Sequence, residues 1–273
     1  MSSLLRRAGG RVLFAALVVA IAGFILGPLV WLTAHAFATE WTYPSLLPAG
    51  LTLDWWSVVL ADPGLFSAIQ NSLFFAPITV AVSALVCLPA AYAFSRFNFP
   101  GRRIFLVGLF ATNAFPKMGL FVAMATVFYG LRLMETALGI IIVHVIGTVV
   151  FMTWIPAAAF SAVPRSLEEA ARDAGAGKLR VFLTVTLPMA LPGILVAAVM
   201  SYLASFDEAQ GTYLIGAPSF MTMPTEMYSL VLNHPKQVAA VFALLLTIPS
   251  VVLLLLTRRY IMGGQLAEGF QIR

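Results

Sequence analysis

The stretch ALGIIIVHVIGTVVFMTWIPAAAF, residues 137–160, decides the fold because it runs without a single Asp, Glu, Lys or Arg. A helix needs roughly 20 such residues to cross a hydrocarbon core of about 30 Å. Strands of a membrane barrel alternate apolar and polar residues instead. The stretch therefore predicts a helix that spans a membrane.

Five other apolar runs meet the same length requirement. Together the runs predict six transmembrane helices, at residues 12–34, 68–94, 104–129, 137–160, 190–215 and 238–257. The first is interpreted as a retained helix, since it is longer than the apolar region of about 7–15 residues in a signal peptide. The composition agrees, with 61% hydrophobic and 10% charged residues, whereas a soluble domain is about half apolar and a quarter charged. We expect an all-α polytopic membrane protein.

The cations fall on one side of this predicted bundle. With both termini in the cytoplasm, thirteen of the sixteen Lys and Arg residues lie in inside segments, while Arg132 and Lys236 lie outside and Lys117 lies in a span. Cytoplasmic loops of membrane proteins carry such an excess. The pattern predicts cytoplasmic termini, and it assigns the net charge of +5 to membrane anchoring rather than to nucleic-acid binding. The lone Cys87 excludes a disulfide framework.

The first external segment, residues 35–67, contains three Trp and three acidic residues but no Lys or Arg. An aromatic belt at the membrane interface, with a short amphipathic helix near residues 53–60, is one interpretation. A docking surface for an external partner is the other. The residues leave both open.

The internal segment between the fourth and fifth runs reads VPRSLEEAARDAGAGKLRVFLTVTLPMALPG, residues 163–193. A helix is expected after Pro164, with Ser166 as its N-cap and acidic residues in its first turn, where they suit the helix dipole. Gly175 is expected to end this helix, and a second short helix is expected at residues 178–185. Such a pair either rests on lipid headgroups or accepts a partner that moves against it.

Three parts of this segment stand at fixed distances: Glu169-Ala170-Ala171, Gly175 and Leu187-Pro188. The spacing resembles the EAA loop of permease subunits of binding-protein-dependent ABC importers, in the MetI-like superfamily, although Val185 stands where that family more often has Ile. The resemblance covers roughly residues 65–260. It implies an N-terminal helix and external loop at residues 1–64, a permease domain at 65–260 and a cytoplasmic tail at 261–273.

The resemblance also implies that this loop is a coupling helix, which docks into a cleft of a separate ATPase. Carried over by position, the coupling residues are Glu168, Glu169, Ala170, Ala171, Arg172, Asp173 and Gly175. The chain has no phosphate-binding loop of the pattern G-x-x-x-x-G-K-[ST], because Lys178 is followed by Leu179. The chain is therefore expected to have no ATPase activity and no cofactor of its own, with ATP and Mg bound by the partner ATPase.

The expected partners follow from the same resemblance. They are a second permease subunit, in a heterodimer because two different chains normally pair in this group, two ATP-binding subunits and an extracytoplasmic substrate-binding protein. The expected location is a prokaryotic plasma (inner) membrane, with the lipid bilayer as surroundings and no nucleic acid as partner.

Polar side chains inside membrane spans are costly and usually face a bundle interior or a watery cavity. The candidates for lining a solute pathway are Asn71, Asn113, Lys117, Asp207, Glu208, Gln210 and Tyr213. Two structural alternatives stay open. Lys117 could pair with one of the acids, or Pro116 and Gly211 could break the helices and let these side chains reach the interface.

Several functional classes are less well supported. The sequence has neither a G-x-S-x-G elbow nor an H-E-x-x-H pair, which disfavours an intramembrane enzyme. A stand-alone channel or secondary transporter remains the alternative, although residues 1–136 and 137–273 show no convincing repeat.

The substrate class stays open between carbohydrates and polyamine-like solutes. The residues FPGRR at 99–103 resemble sugar permeases related to the maltose system. By contrast, Ala174 stands directly before Gly175, where sugar permeases usually carry Asp, and GAPS at 216–219 resembles polyamine-type permeases.

Overall fold

The computed structural model describes residues 2–42, 44–112 and 115–262, with side chains from residue 13 to residue 258 of those ranges. In these ranges the chain forms helices and connecting segments without a β-strand, and one isolated antiparallel bridge joins Ala38 and Leu51. The helices are α1 (Ser2–Ala36), α2 (Asp54–Ala61), α3 (Pro63–Arg96), α4 (Arg102–Ala111), α5 (Lys117–Gly130), α6 (Ala137–Ala162), α7 (Arg165–Asp173), α8 (Lys178–Val181), α9 (Leu187–Phe206), α10 (Gln210–Gly216), α11 (Met223–Asn233) and α12 (Lys236–Met262). The prediction of an all-α protein is confirmed.

Five helical segments of the described chain are long and apolar enough to cross a membrane. They are Leu13–Ala36, Pro63–Arg96, Ala137–Ala162, Lys178–Phe206 and Lys236–Arg258. The helices predicted at residues 12–34, 68–94, 137–160 and 238–257 are thereby confirmed, and most extend a few residues further than expected.

The third predicted run, residues 104–129, is not one helix, and that prediction is wrong. The structure has two shorter helices, α4 and α5, and α5 begins directly after Pro116. A proline lacks the N–H that a helix interior needs, and its ring keeps the preceding residue out of the helical region. Pro116 is the N-cap of α5, with φ −58° and ψ 113°, so the chain is interrupted at Pro116, as the alternative of a break there had predicted.

The fifth predicted run, residues 190–215, is displaced. The helical segment begins at Lys178 and ends at Phe206, and α10 follows as a separate short helix. The second short helix predicted at residues 178–185 is confirmed in its position, since the chain is helical from Lys178 through this range. A π-helical turn, Phe182–Thr186, joins α8 to α9 without a break.

The chain divides into two compact units, of which the first is Met1–Pro63 with Met227–Thr247. Here the segment between α1 and α2 folds back on itself, and the indole N–H groups of Trp55 and Trp56 donate to Ala38 O at 2.9 Å and Ala36 O at 3.1 Å. The short helix predicted near residues 53–60 is confirmed as α2.

The second unit is Gly64–Glu226 with Ile248–Arg273. Its core follows α6, which packs along α9 so closely that a Cβ on Gly193 would lie 2.5 Å from Ala159 Cβ. A hydroxyl pair of 2.6 Å between Ser83 and Thr148 ties α3 to α6. Three buried apolar clusters pack α3, α5, α9 and α10 against α6.

Candidate functional site

The first candidate site is α7 with the turn that follows it. Pro164 occupies the N-cap position with φ −61° and ψ 127°, and α7 begins at Arg165, so the predicted helix start is confirmed. The prediction that Ser166 is the N-cap is wrong, because Ser166 lies inside the first turn.

Most of the predicted coupling residues lie on the outer side of this helix. Glu169, Ala170, Arg172 and Asp173 are exposed, and Ala171 is half-buried. The exposed side therefore offers two acids and one cation around a pair of small residues, which keep it smooth.

The turn after α7 depends on Gly175. Its N–H donates to Arg172 O at 2.8 Å, and the N–H of Ala176 donates to Ala171 O at 3.0 Å. These two bonds form a Schellman motif, in which the residue after the C-cap takes a positive φ. Gly175 has φ +87°, and a Cβ there would meet no described atom within 4 Å. Glycine thus ends α7, as predicted, and leaves open space beside the turn.

The segment from Lys178 onward is helical without interruption because of the π-helical turn. Leu187 N–H donates to Phe182 O, five residues back, and Pro188 follows in the first turn of α9. Proline has no N–H and its ring crowds the carbonyl four residues before it. A π-helical turn relieves this conflict by shifting the hydrogen-bond register, so the helix continues through Leu187-Pro188.

One predicted coupling residue, Glu168, points away from the exposed side of α7. Its carboxylate accepts a hydrogen bond from Arg96 Nη2 at 2.9 Å and one from Thr186 Oγ1 at 2.6 Å. Arg96 Nη2 also donates to Val163 O at 3.0 Å. The two charged side chains are only 8% and 6% exposed. This buried group ties α7 to the end of α3 and to the π-helical turn.

The second candidate site is the link between α9 and α10. Asp207, Gln210 and Tyr213 are exposed there, whereas Glu208 is buried. Glu208 Oε1 accepts a hydrogen bond from Gly211 N–H at 2.9 Å, in the first turn of α10. The two adjacent acids thus differ, since Asp207 faces outward and Glu208 caps a helix.

His144 holds this link from the side of α6, and sequence reasoning did not assign it to a site. Its Nδ1 lies 2.7 Å from Ser205 Oγ and its Nε2 lies 2.7 Å from Thr212 Oγ1. Thr212 Oγ1 also approaches Glu208 O at 3.1 Å. One buried imidazole therefore joins α6, α9 and α10. The available signal was a single imidazole in a run without charged residues.

Lys117 is exposed at the first residue of α5. One turn later, Phe121 lies against Gly211, where a Cβ would come within 3.1 Å of the ring. Lys117 thus starts a helix that packs on α10, but among the described residues it forms no ion pair with Asp207 or Glu208. The predicted alternative of such a pair is not supported.

Of the two candidate asparagines, Asn71 and Asn113, the structure describes only Asn71. Asn71 Nδ2 donates to Met221 O at 2.8 Å, which ties α3 to the segment between α10 and α11. Asn113 lies outside the described residues. The structure therefore gathers Asp207, Glu208, Gln210 and Tyr213 at one link, with Lys117 on a helix that packs against it.

Comparisons with known proteins agree with this architecture. Residues 83–262 match the family of the binding-protein-dependent transport system inner membrane component. The chain is 32% identical over 214 residues to a putative ABC transporter permease protein, ORF1, of Streptomyces antibioticus, covering 76% of this chain and 91% of the relative. It is 28% identical over 244 residues to the maltodextrin transport system permease protein MdxG of Bacillus subtilis (strain 168), covering 85% and 82%.

A solved structure shares the fold. It is a bacterial ABC transporter involved in the import of the acidic polysaccharide alginate, with a TM-score of 0.73 and 20% identity, covering 93% of this chain and 96% of that one. The match over residues 83–262 and the 32% identical relative place the chain in the family of binding-protein-dependent transport system inner membrane components, the permease subunits of ABC importers.

Proposed function

We propose that this permease forms half of the translocation pathway of a carbohydrate importer in a prokaryotic inner membrane. The observation that supports the proposal is the place of α7 in the chain. This capped helix has an exposed polar side, and in sequence it connects two membrane-length helices, α6 and α9. A partner that pushes on this side acts directly on the spans.

The partner at α7 is an ATPase subunit that binds ATP and Mg. Glu169, Arg172 and Asp173 supply charges of both signs for its cleft, and Gly175 leaves open space beside them. Two ATPase subunits serve two permeases, each of which presents one such helix. The hydrolysis itself belongs to the partner, in line with the missing phosphate-binding loop in this sequence.

The topology we propose has six spans, with α4 and α5 together as the third. The five long helical segments supply the others. Both termini, α7 and the Arg-rich loop before α4 then lie in the cytoplasm, consistent with the excess of cations in those segments. Residues 1–64, 65–260 and 261–273 remain the proposed N-terminal part, permease domain and tail.

Carbohydrate is the proposed solute class because the relative MdxG belongs to a maltodextrin transport system and the structural neighbour is involved in the import of alginate. The extracytoplasmic binding protein captures the solute and delivers it to the permease. The second permease is a different chain, so that two unlike halves enclose one pathway.

The pathway side of this half is the link between α9 and α10. Asp207, Gln210 and Tyr213 are exposed there, and polar groups of this kind bind sugar hydroxyls. The buried side chains of Glu208 and His144 fix the link through hydrogen bonds with Gly211 N–H and with Ser205 Oγ. Lys117, Asn71 and Asn113 are proposed as further members of the pathway.

Replacement of Gly175 by Trp tests the docking of the ATPase. The positive φ costs a non-glycine residue about 1–2 kcal/mol, which is too little to prevent insertion, but the indole fills the space proposed for the ATPase. We expect normal amounts of permease in the membrane, loss of the ATPase on purification and loss of uptake.

The matched control is Gly130→Trp, which adds the same side chain in open space at the end of α5. In the proposed topology that end lies outside, so the control should retain the ATPase. Normal ATP-driven uptake by the Gly175→Trp variant would refute the coupling role of this turn.

The solute class is tested by crosslinking the binding protein to the permease complex and identifying the released solute by mass spectrometry. We expect an oligosaccharide, because a binding protein retains its solute until the permease accepts it. A polyamine in its place would refute the carbohydrate assignment and leave the permease assignment intact.

The two acids of the link should respond differently to substitution. Asp207→Asn keeps the side-chain size and removes an exposed charge, so uptake should fall by about tenfold, the effect of losing roughly one charged hydrogen bond. Glu208→Ala removes the cap of α10 and should lower the free energy of unfolding by about 1–2 kcal/mol, measured by thermal denaturation in detergent.

Each variant serves as the control of the other. Asp207→Asn should unfold at the temperature of the unsubstituted protein, since exposed positions usually change stability by less than about 0.5 kcal/mol. If its uptake rate, affinity and specificity also stay unchanged, Asp207 does not line the pathway.

A further inference from the structure

The ion pair between Arg96 and Glu168 occupies an unusual place for two charges. Both side chains are nearly inaccessible, and Glu168 also accepts from Thr186 while Arg96 also donates to Val163 O. Arg96 belongs to α3, Thr186 to the π-helical turn, Val163 to the short α6–α7 connection and Glu168 to the first turn of α7. The carboxylate of Glu168 is therefore the point at which α7 is joined to two long helices.

Stability alone gives a weak reason for this arrangement. Removing two charges from water costs about as much as their attraction returns, so a buried ion pair often adds little net stability over apolar residues of the same size. Here Arg96 Nε is buried without a hydrogen-bond partner in the described chain, which adds a further cost. The directional bonds instead fix the angle and depth at which α7 sits on the helices.

Glu168 and Glu169 are neighbours in the sequence but face different sides of α7. Successive residues of a helix point about 100° apart, so Glu169 is exposed on the outer side of α7 while Glu168 reaches inward. The outer carboxylate can contact a partner, and the inner one cannot. A partner that moves α7 thus acts on α3 and α9 through the inner carboxylate and its two donors.

We infer that Glu168, held by Arg96 and Thr186, is a positioning residue that transmits movement of the ATPase-bound α7 to α3 and α9. The inference rests on the proposed docking of an ATPase at α7. It adds that docking and transmission reside in different side chains, so that one can be lost while the other remains.

The test is hydrogen–deuterium exchange of the whole transporter complex, purified through this chain, with and without ATP and vanadate. In the unsubstituted complex the nucleotide should change exchange both in α7 and in residues 187–209. In the Glu168→Ala and Arg96→Ala variants the change in α7 should persist, ATP hydrolysis should continue and the change in residues 187–209 should be lost.

The double variant Glu168→Ala with Thr186→Val should behave as either of its single variants, because both substitutions break the same hydrogen bond. Glu169→Ala is the matched control, one position along the helix, and it should release the ATPase while basal exchange of residues 187–209 stays unchanged. Glu168→Gln and Thr186→Val give the same comparison with less change in volume.

The outcomes separate this inference from the function on which it rests. If no ATPase purifies with the unsubstituted chain, the proposed docking fails and the inference fails with it. If the ATPase is present and the Glu168 variants retain the nucleotide-dependent change in residues 187–209, or the unsubstituted complex lacks it, the inference alone is overturned. If Glu168→Ala, Glu168→Gln, Arg96→Ala and Thr186→Val all fail to reach the membrane, these residues act in folding, and that result would also overturn the inference.

Discussion

A lipid bilayer offers no hydrogen bonds, so every backbone N–H and C=O inside it needs a partner within the protein. This constraint explains why the long segments of this chain are helices. It also explains why two departures from regular helix in the described chain carry a compensating group. Glu208 satisfies Gly211 N–H where α10 begins, and Leu187 N–H reaches back to Phe182 O where Pro188 would otherwise interrupt the helix.

The departures from regular helix fall near the residues proposed to act in transport. The π-helical turn brings Thr186 to the carboxylate of Glu168, and the break after Phe206 exposes Asp207 while burying Glu208. Irregular backbone is tolerated at membrane depth where protein surrounds it or where it lines a cavity, which fits a solute pathway.

Much of this architecture was predictable because it depends on local properties of the sequence. Apolar length located four of the spans, and Pro164 and Gly175 marked the two ends of α7, since each fixes the backbone at its own position. The burial of Glu168 was not predictable, because its partners Arg96 and Thr186 lie far away in sequence and neither pattern nor spacing reveals which side of α7 faces them. The role of His144 was hidden for the same reason, as its two hydroxyl partners lie on α9 and α10.

The helical segment Lys178–Phe206 connects the two candidate sites. Its 29 residues, at about 1.5 Å per residue, span roughly 40 Å. One end emerges from the turn after α7, and the other ends at Asp207 beside the proposed pathway. α9 packs closely on α6, with Gly193 against Ala159. A buried ionic link at one end and a hydrogen-bonded imidazole at the other are suited to transmitting a displacement, since both bonds hold direction as well as distance. In the proposed mechanism, movement of the ATPase reaches the solute pathway through this helical segment, because the carboxylate of Glu168 joins α7 to Thr186 near its start.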